Sequence, residues 1–392
     1  MKKALLFLLE LGFLLQVITE AQDMSSDVTV LASKNTDFAT SLYREISSAS
    51  DDNVFFSPLC VSSALAALSM GAQGITREKI LQGLGITPLD QEDQPKRIPE
   101  LFQKLREEVT KNEGLQYNPT TALFIRQQLD VSTDYTQVIK QYFGANISKV
   151  DFTNAQVSKA SINDYVKSKT GDKVKEVVST VDPQATLMLI SSIFFQGNWK
   201  IPFAPMPEER FFVNKYKIVQ VTMLFSSEKH YLAYDPTMKL GVLKLPYQGG
   251  VAMLVLLPDK DVDYTSIDEV LTGDRFLGWI KMLKKIKLEV VLPMFSLEQS
   301  YAMKTVLPDM GISNVFESAD LSGLSEEPNL NLSEMIHKAA IEVKKSDISA
   351  MDTPMDSAPP RLTINRPFLF VIYHEATNSP LFMGRVIDPT KK

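Results

Sequence analysis

Residues 337–389 read HKAAIEVKKSDISAMDTPMDSAPPRLTINRPFLFVIYHEATNSPLFMGRVIDP. Two runs that are rich in β-forming residues, 339–343 and 367–373, bracket a long stretch with no strand-like alternation. Ser, Asp, Thr, Pro and Met fill that stretch, a composition typical of a surface loop and unsuited to a packed core. A structureless segment of this length inside a compact domain is uncommon and indicates either a functional loop or disorder.

The sequence blocks around this loop resemble those of the serpin family. HKAAIEV, NRPFLFVIY and SPLFMGRVIDP are similar to the C-terminal signature of serpins. Residues 53–85 resemble the family's helix B region, and residues 162–178 its helix F region. Three more blocks match in the family's order: ISSIFFQGNWKIPF (190–203), which resembles strand 3 of the large sheet, LKLPYQGGVAMLVLLPD (243–259) and residues 292–325. The resemblance covers almost the whole chain and is nearest to the antitrypsin group.

This resemblance implies an α+β fold with about eight or nine helices around three β-sheets and an exposed reactive-centre loop. It also implies inhibition of serine proteases by a suicide-substrate mechanism. In that mechanism a protease cleaves the loop, the loop inserts into the large sheet as an extra strand, and the protease remains trapped as an acyl-enzyme. The metastable starting fold provides the driving force, as in other switches that store strain.

Hydrophobic periodicity predicts the same fold class independently. Apolar spacing indicates helices over residues 28–47, 58–71 and 99–111. Buried strands are predicted further along the chain, where β-branched residues cluster between Gly and Pro breaks: 187–195, 239–247, 252–258 and 287–293. Helices early and strands later favour an α+β arrangement. No internal repeat or linker interrupts residues 22–392, so the sequence predicts one domain over that range.

Composition argues against several classes of function. The net charge of -6 is the opposite of the basic footprint of a general nucleic-acid binder. The three histidines lack metal-ligand spacing, and one cysteine forms neither a zinc site nor an intramolecular disulfide. A phosphate-binding glycine loop and a G-x-S-x-G elbow are both missing from the sequence. We therefore expect no catalytic residues, no metal and no cofactor, and the chain is not predicted to be an enzyme.

The N-terminus has the pattern of a secretory signal. Residues 1–21, MKKALLFLLELGFLLQVITEA, place two lysines before an apolar run and end in a small residue. A buried N-terminal helix is the alternative. Asn146 and Asn331 begin glycosylation sequons. No other apolar run is long enough to span a membrane. With the signal pattern and the sequons, this predicts a secreted, extracellular glycoprotein. We expect it to be monomeric.

The resemblance also implies roles for particular residues of the large sheet. Four positions correspond to the shutter and breach, where the sheet opens for insertion: Ser57, Ser191, Trp199 and His337. Ser191 stands where the family generally has a buried Asn, and His337, its usual partner, is retained. A histidine at the head of an apolar strand is more often a hydrogen-bonded core residue than a catalyst.

The loop departs from the pattern of inhibitory serpins. The family's hinge falls on Lys345, Ser346, Asp347, Ile348, Ser349 and Ala350, and the reactive bond falls between Asp356 and Ser357. The segment between them is roughly five residues short, a deficit of about 16 Å of strand. Insertion would bury Asp352 without a partner and place Pro354, which has no N–H group, in a central strand. We therefore predict that insertion is opposed.

Two recognition features have competing interpretations. Asp356 suits an Asp-preferring protease, and otherwise it is a solvated loop residue. Four lysines form a basic cluster that either binds a heparin-like glycosaminoglycan or is a solvated face: Lys281, Lys284, Lys285 and Lys287. The expected partner is an extracellular serine protease. The alternative function is that of a non-inhibitory serpin acting as a carrier of a small ligand.

Overall fold

The computed structural model describes residues 26–111, 115–346 and 359–392. Nine α-helices lie within these ranges: residues 26–48 (α1), Pro58–Ser69 (α2), Gly74–Gly83 (α3), Arg97–Thr110 (α4), Thr133–Phe143 (α5), Ala155–Lys169 (α6), Thr265–Asp268 (α7), Gly273–Met282 (α8) and Asn314–Glu317 (α9). The helices predicted over 28–47, 58–71 and 99–111 are confirmed as α1, α2 and α4. Short 3₁₀ turns occur at Thr87–Leu89 and Met303–Thr305.

The strands in the same ranges are Val54–Phe56 (β1), Leu115–Tyr117 (β2), Thr120–Arg126 (β3), Asn146–Val150 (β4), Leu187–Gly197 (β5), Ala204–Phe212 (β6), Ile218–Asp235 (β7), Leu240–Pro246 (β8), Val251–Pro258 (β9), Lys284–Pro293 (β10), Phe295–Ala302 (β11), Glu334–Val343 (β12), Arg361–Thr363 (β13), Phe368–His374 (β14) and Pro380–Val386 (β15). The four predicted buried strands are confirmed as β5, β8, β9 and β10. With the helices they establish the α+β class.

Hydrogen bonding joins the described strands into two sheets. The six-stranded sheet has the order β11-β12-β5-β3-β4, with β2 also paired to β5. The nine-stranded sheet has the order β1-β15-β14-β9-β8-β7-β10-β13, with β6 also paired to β7. The expected three sheets correspond to these two because β7 is long enough to belong to both halves of the larger one. Its first part pairs with β6 and its last part with β8.

Local sequence explains the central helix. Ser57 has an extended backbone, and its side chain accepts a hydrogen bond from the Cys60 N–H, so it caps α2. Pro58 occupies the first turn, where a missing N–H costs nothing. Almost every residue of α2 is buried, including Cys60, because strands β3, β5 and β15 and helices α3, α4 and α5 all pack on it. Burial raises the pKa of the Cys60 thiol to about 11, so this residue is an inert part of the core.

Both faces of the six-stranded sheet are covered. One face belongs to the large core that contains α2 and the nine-stranded sheet. The other face packs under α6 in a smaller apolar cluster that includes Phe124, Ile162, Val166 and Met188. Two covered faces explain why β5 is an almost continuous apolar run and does not alternate.

Candidate functional site: the seam between β5 and β12

The centre of the six-stranded sheet is a parallel pair of strands, β5 and β12, which we call the seam. Its register runs from Glu334 opposite Met188 to Ile341 opposite Phe195, with no strand between them. In the serpin mechanism this seam has to open, because the cleaved loop would enter between these two strands. The seam is therefore the part of the fold in which the family's function would be exercised.

The three residues that the resemblance assigns to the shutter come from separate elements and meet at the middle of the seam. His337 on β12 lies opposite Ser191 on β5, and its Nδ1 is 3.2 Å from the Ser191 hydroxyl. The Ser57 backbone N–H donates to His337 Nε2 at 2.9 Å. The Ser57 hydroxyl donates to the Leu381 carbonyl at 2.7 Å. The shutter thus connects both strands of the seam to the cap of α2 and to β15.

The shutter geometry specifies a neutral imidazole. Because Nε2 accepts from the Ser57 backbone, the proton resides on Nδ1 and is directed to Ser191. All three side chains are completely buried. Burial lowers the pKa of His337 to about 3, because the charged ring would have no water around it. The neutral His337 ring therefore uses both nitrogens in hydrogen bonds, one that connects β12 to the cap of α2 and one that connects β12 to β5.

Trp199, which the resemblance assigns to the breach, lies beside the C-terminal end of β12. Its indole Nε1 donates to the Lys344 carbonyl at 2.9 Å, just past the end of β12. The indole ring stacks on Tyr247 with centroids 4.1 Å apart and lies 5.3 Å from the Phe203 ring. Trp199 therefore binds the chain directly after the last residue of β12.

The start of the hinge is attached to the same place. The Ser346 N–H donates to the Phe203 carbonyl at 3.0 Å, and the Phe203 N–H donates to the Ser346 hydroxyl at 2.8 Å. Lys345 is exposed. The remaining predicted hinge residues and the reactive bond lie outside the described residues: Asp347, Ile348, Ser349, Ala350, Asp356 and Ser357. Asp352 and Pro354 lie outside them too.

Sequence reasoning missed the contact between Phe203 and Ser346 and the histidine beside it. His230 on β7 is fully buried, its ring lies 6.0 Å from the Phe203 ring, and its Nε2 is 3.2 Å from the Ser226 hydroxyl. Burial lowers the pKa of His230 to about 4. The third histidine, His374, is also buried and bonds Thr377 through Nδ1 at 3.0 Å. All three histidine side chains are therefore buried, and each has a ring nitrogen within hydrogen-bond distance of a neighbouring residue.

The two sequons lie in different environments. Asn146 is exposed at the start of β4. Asn331 is half-buried, its Oδ1 accepts from the Ala319 N–H at 2.7 Å, and its Nδ2 donates to the Asn329 carbonyl at 3.3 Å. The hydroxyl of Ser333, which completes that sequon, accepts from the Thr186 N–H. The structure therefore leaves room for a glycan at Asn146 and engages both amide atoms of Asn331.

The four predicted basic residues are all exposed where α8 meets β10. Lys281 belongs to the last turn of α8, and the other three lysines lie within the first four residues of β10. Lys287 lies opposite Lys229 of β7, which sequence reasoning did not include. Like charges directly opposite each other repel, so a bound anion would stabilise the pairing of Lys287 with Lys229. Lys285 lies opposite Tyr231, with its ammonium 5.6 Å from the ring centroid.

Comparison with known proteins identifies the class that this fold and this seam define. A family model described as serpin (serine protease inhibitor) matches residues 33–389, so the chain belongs to the serpin family. Rat alpha-1-antiproteinase is 33% identical over 385 residues, which cover 95% of this chain and 92% of the relative. The resemblance to the antitrypsin group is confirmed.

Solved structures agree with that placement. The crystal structure of mouse protein Z-dependent protease inhibitor matches with a TM-score of 0.87 and 33% identity, covering 93% of this chain and 98% of that chain. The predicted serpin fold is confirmed. Human thyroxine-binding globulin in complex with its ligand matches with a TM-score of 0.85 and 29% identity, covering 92% and 99%. Among the described residues no helix is both long and apolar enough to cross a membrane.

Proposed function

We propose that this chain is a secreted serpin whose loop is a substrate for an extracellular serine protease, and that trapping of the protease is inefficient. The observation that carries the proposal is the closed seam, which ends at Trp199 and Ser346 where the loop departs. An inserting strand has to separate β5 from β12 and break the hydrogen bond between His337 and Ser191. Insertion is favourable only if the contacts of the inserted loop outweigh the free energy lost when β5 and β12 separate.

The sequence of the loop argues against such a fit. After Ser346 the alternate positions that would face inward carry Ile348, Ala350, Asp352 and Pro354. A buried carboxylate without a partner costs several kcal/mol, and a proline cannot donate to a neighbouring strand. The loop is also roughly five residues shorter than that of inhibitory serpins, a deficit of about 16 Å at about 3.3 Å per residue. Deacylation, which releases the protease, is then faster than insertion.

A panel of serine proteases tests this proposal. Each protease is mixed with the protein, and the products are separated in detergent, in which only a trapped acyl-enzyme migrates as a covalent complex. We expect loop cleavage and no complex. The control is a variant whose loop is restored to family length with an Ala-rich hinge, which should form the complex. A complex formed by the unaltered protein would show that the loop does insert and that the chain is an efficient inhibitor.

The second candidate function is that of a carrier. The similarity to thyroxine-binding globulin, solved with its ligand, supports it. A carrier needs no insertion, so the short loop would not matter to it. Equilibrium dialysis against labelled thyroxine compares the two functions, because a carrier binds a small ligand with the loop intact or cleaved. Absence of binding to thyroxine would leave the protease-substrate function as the better account.

We further propose that residues 1–21 are removed on export and that Asn146 carries a glycan. The exposure of Asn146 supports the second part, and Asn331 is the less suitable acceptor because its amide is engaged. Mass spectrometry of protein from secreting cells should find Gln22 at the N-terminus and a mass decrease after glycosidase treatment. The Asn146→Gln variant should lose that decrease, and Asn331→Gln should keep it. Retention of Met1 would contradict export.

The basic cluster supports a weaker proposal, binding of a heparin-like glycosaminoglycan. Lys287 and Lys229 oppose each other across two strands, and a sulfated chain would relieve their repulsion. Elution from immobilised heparin should therefore require more salt for the unaltered protein than for Lys287→Gln. Lys104→Gln, on the exposed side of α4, removes the same charge elsewhere and should elute with the unaltered protein. Equal elution of all three proteins would assign the lysines to a solvated face.

A further inference from the structure

A cleft of about 530 Å³ lies at the end of β9, and no residue of β5 or β12 is among those that line it. Three segments form its walls: residues 212–215 at the end of β6, residues 258–264 between β9 and α7, and residues 365–367 before β14. Two bonds connect the walls. The Phe212 N–H donates to the Asn365 carbonyl at 2.8 Å, and Arg366 Nε donates to the Pro258 carbonyl at 2.8 Å. The cleft is thus a built feature, of the size that small-molecule sites have.

The inner surface of the cleft is largely apolar. Val213, Val262, Tyr264 and the rings of two prolines contribute to it. Phe212 stands at its mouth with 41% of its surface exposed, next to Ile218 on the paired strand, which is 51% exposed. A contiguous exposed apolar patch of this kind usually marks a place where something binds.

The charged residues around the cleft are mainly cationic. Lys215, Lys260 and Arg366 line it, against one carboxylate, Asp263. Asp263 already accepts two hydrogen bonds from Thr265 at the start of α7. Neither lysine forms an ion pair with any residue in the described part of the chain, and Lys215 only approaches the ring of its neighbour Tyr216. Three cations thus line the cleft against one lining carboxylate, and Asp259 is a second carboxylate close enough to act on Arg366.

Arg366 places part of that charge inside the cleft. It is half-buried, and burial lowers the pKa of its guanidinium, although Asp259 acts in the opposite direction. Only its Nε is hydrogen-bonded to a residue that the structure describes, so its terminal nitrogens are available. Guanidinium groups with free terminal nitrogens bind carboxylates and sulfonates through two parallel hydrogen bonds.

We propose that this cleft binds a small amphipathic anion, with an aromatic or alkyl body on the apolar wall of Phe212, Val262 and Tyr264 and a carboxylate or sulfonate held by Arg366, Lys260 and Lys215. The inference does not depend on whether the loop traps a protease. It assigns a ligand site to the nine-stranded sheet, away from the seam.

The experiment uses anilinonaphthalene sulfonate, a fluorescent aromatic anion, as the probe. Titration of the full chain should show saturable binding at one site. The double substitution Lys215→Glu and Lys260→Glu should weaken binding at least about fivefold. A single exposed ion pair changes an affinity by up to about that factor, and here two are lost. The matched control, Lys104→Glu with Lys140→Glu, makes the same change of net charge on exposed faces of α4 and α5 and should bind as the unaltered protein does.

Two further measurements separate the apolar and anionic requirements. Phe212→Ser should also weaken binding, and its melting temperature should stay near that of the unaltered protein because Phe212 is partly exposed. Laurate should displace the probe, and uncharged dodecanol should displace it less well at the same concentration. Equal affinity in the Lys215/Lys260 variant and the control variant would overturn the proposal, as would equal displacement by laurate and dodecanol.

Discussion

At the scale of single residues, His337 uses both ring nitrogens, one to accept from Ser57 and one to donate to Ser191. The first hydrogen bond connects β12 to the cap of α2, and the second connects β12 to β5 across the seam. Shortening the side chain leaves the Ser57 N–H without an acceptor in a fully buried place. The penalty is that of a buried polar group without a partner, which usually exceeds the value of the bond itself.

We predict that His337→Ala lowers the free energy of unfolding by about 1–3 kcal/mol. Urea denaturation, followed by circular dichroism, measures the change. Ser191→Ala is the control, because it removes one bond of the shutter and keeps the Ser57 contact, so its effect should be smaller. An unaltered midpoint for His337→Ala would show that the shutter does not stabilise the sheet.

The buried histidines also predict a dependence of stability on pH. Folding depresses the pKa of His337 to about 3 and that of His230 to about 4, against about 6.5 in an unfolded chain. The unfolded state therefore binds more protons at acidic pH. Their contribution to stability is complete above pH 6.5 and is lost as the pH falls towards 4, with a slope of up to about 1.4 kcal/mol per pH unit for each histidine.

Urea titrations at pH 7.5, 6.0 and 5.0 test this prediction, and the midpoint should fall at each step. A His337→Asn variant cannot titrate at that position, so its midpoint should fall less steeply than that of the unaltered protein. If the unaltered protein has the same midpoint at pH 7.5 and pH 5.0, the histidines are not held neutral by burial.

The sequence predicted some of these residues and could not predict others. The shutter residues were identifiable because the runs around them resemble a family in which their roles are known. Ser346 and Phe203 stand in unremarkable local sequence and meet only because β12 and the segment before β6 end at the same place. His230 was not recognisable either, since burial of its ring depends on packing from Phe203. Tertiary contacts of this kind have no local pattern.

At the scale of elements, the hinge begins as a short extension of β12 that is held by Trp199 and Phe203. The Ser346 N–H donates to the Phe203 carbonyl, and the Ser346 side-chain hydroxyl accepts from the Phe203 N–H, so a pair of hydrogen bonds joins these two residues. Any movement of the hinge towards the seam has to break this pair first.

We predict that Ser346→Ala raises the hydrogen-exchange rate of the Phe203 amide about fivefold, because it removes a bond worth about 1 kcal/mol. Mass spectrometry of a peptide that spans residues 199–206 measures the rate. Lys345→Ala changes an exposed neighbour and should leave the rate unaltered. Equal rates in both variants would mean that the hydroxyl of Ser346 does not restrain the hinge.

Elements with a simple burial pattern were predictable from the sequence. The strands β5, β8 and β9 are mainly apolar because both of their faces are covered for most of their length, and the same holds for β10 from Leu288 onward. By contrast, β7 was not predicted. It passes from one half of the sheet to the other, and its burial changes irregularly along 18 residues. The three residues of β13 lie in the stretch interpreted as loop and are too few to show a period.

At the scale of the whole molecule, the fold is that of a serpin with its seam closed. In an inhibitory serpin, cleavage of the loop adds a central strand and raises thermal stability sharply. Here the entering segment would bring Asp352 and Pro354 into the seam and would be too short to cross it. Cleavage should then release no strain.

We predict that cleavage between residues 347 and 357 leaves the melting temperature nearly unchanged. Limited proteolysis followed by calorimetry measures it. The variant with a restored, Ala-rich loop is the control, and its cleaved form should melt at a much higher temperature than its intact form. A large upward shift for the cleaved unaltered protein would show that the segment inserts in spite of its composition.

The position of β14 and β15 has a consequence for synthesis. These last two strands lie inside the nine-stranded sheet, between β1 and β9, and Asn53 bonds the backbone of Asp388 across 335 residues of sequence. Until they emerge from the ribosome, the nascent chain has β1 and β9 as open strand edges, which invite pairing with other chains. The nine-stranded sheet can form fully only after β14 and β15 have been translated. A chain that stops before residue 368 would keep both edges open, so it should aggregate instead of forming a smaller folded unit.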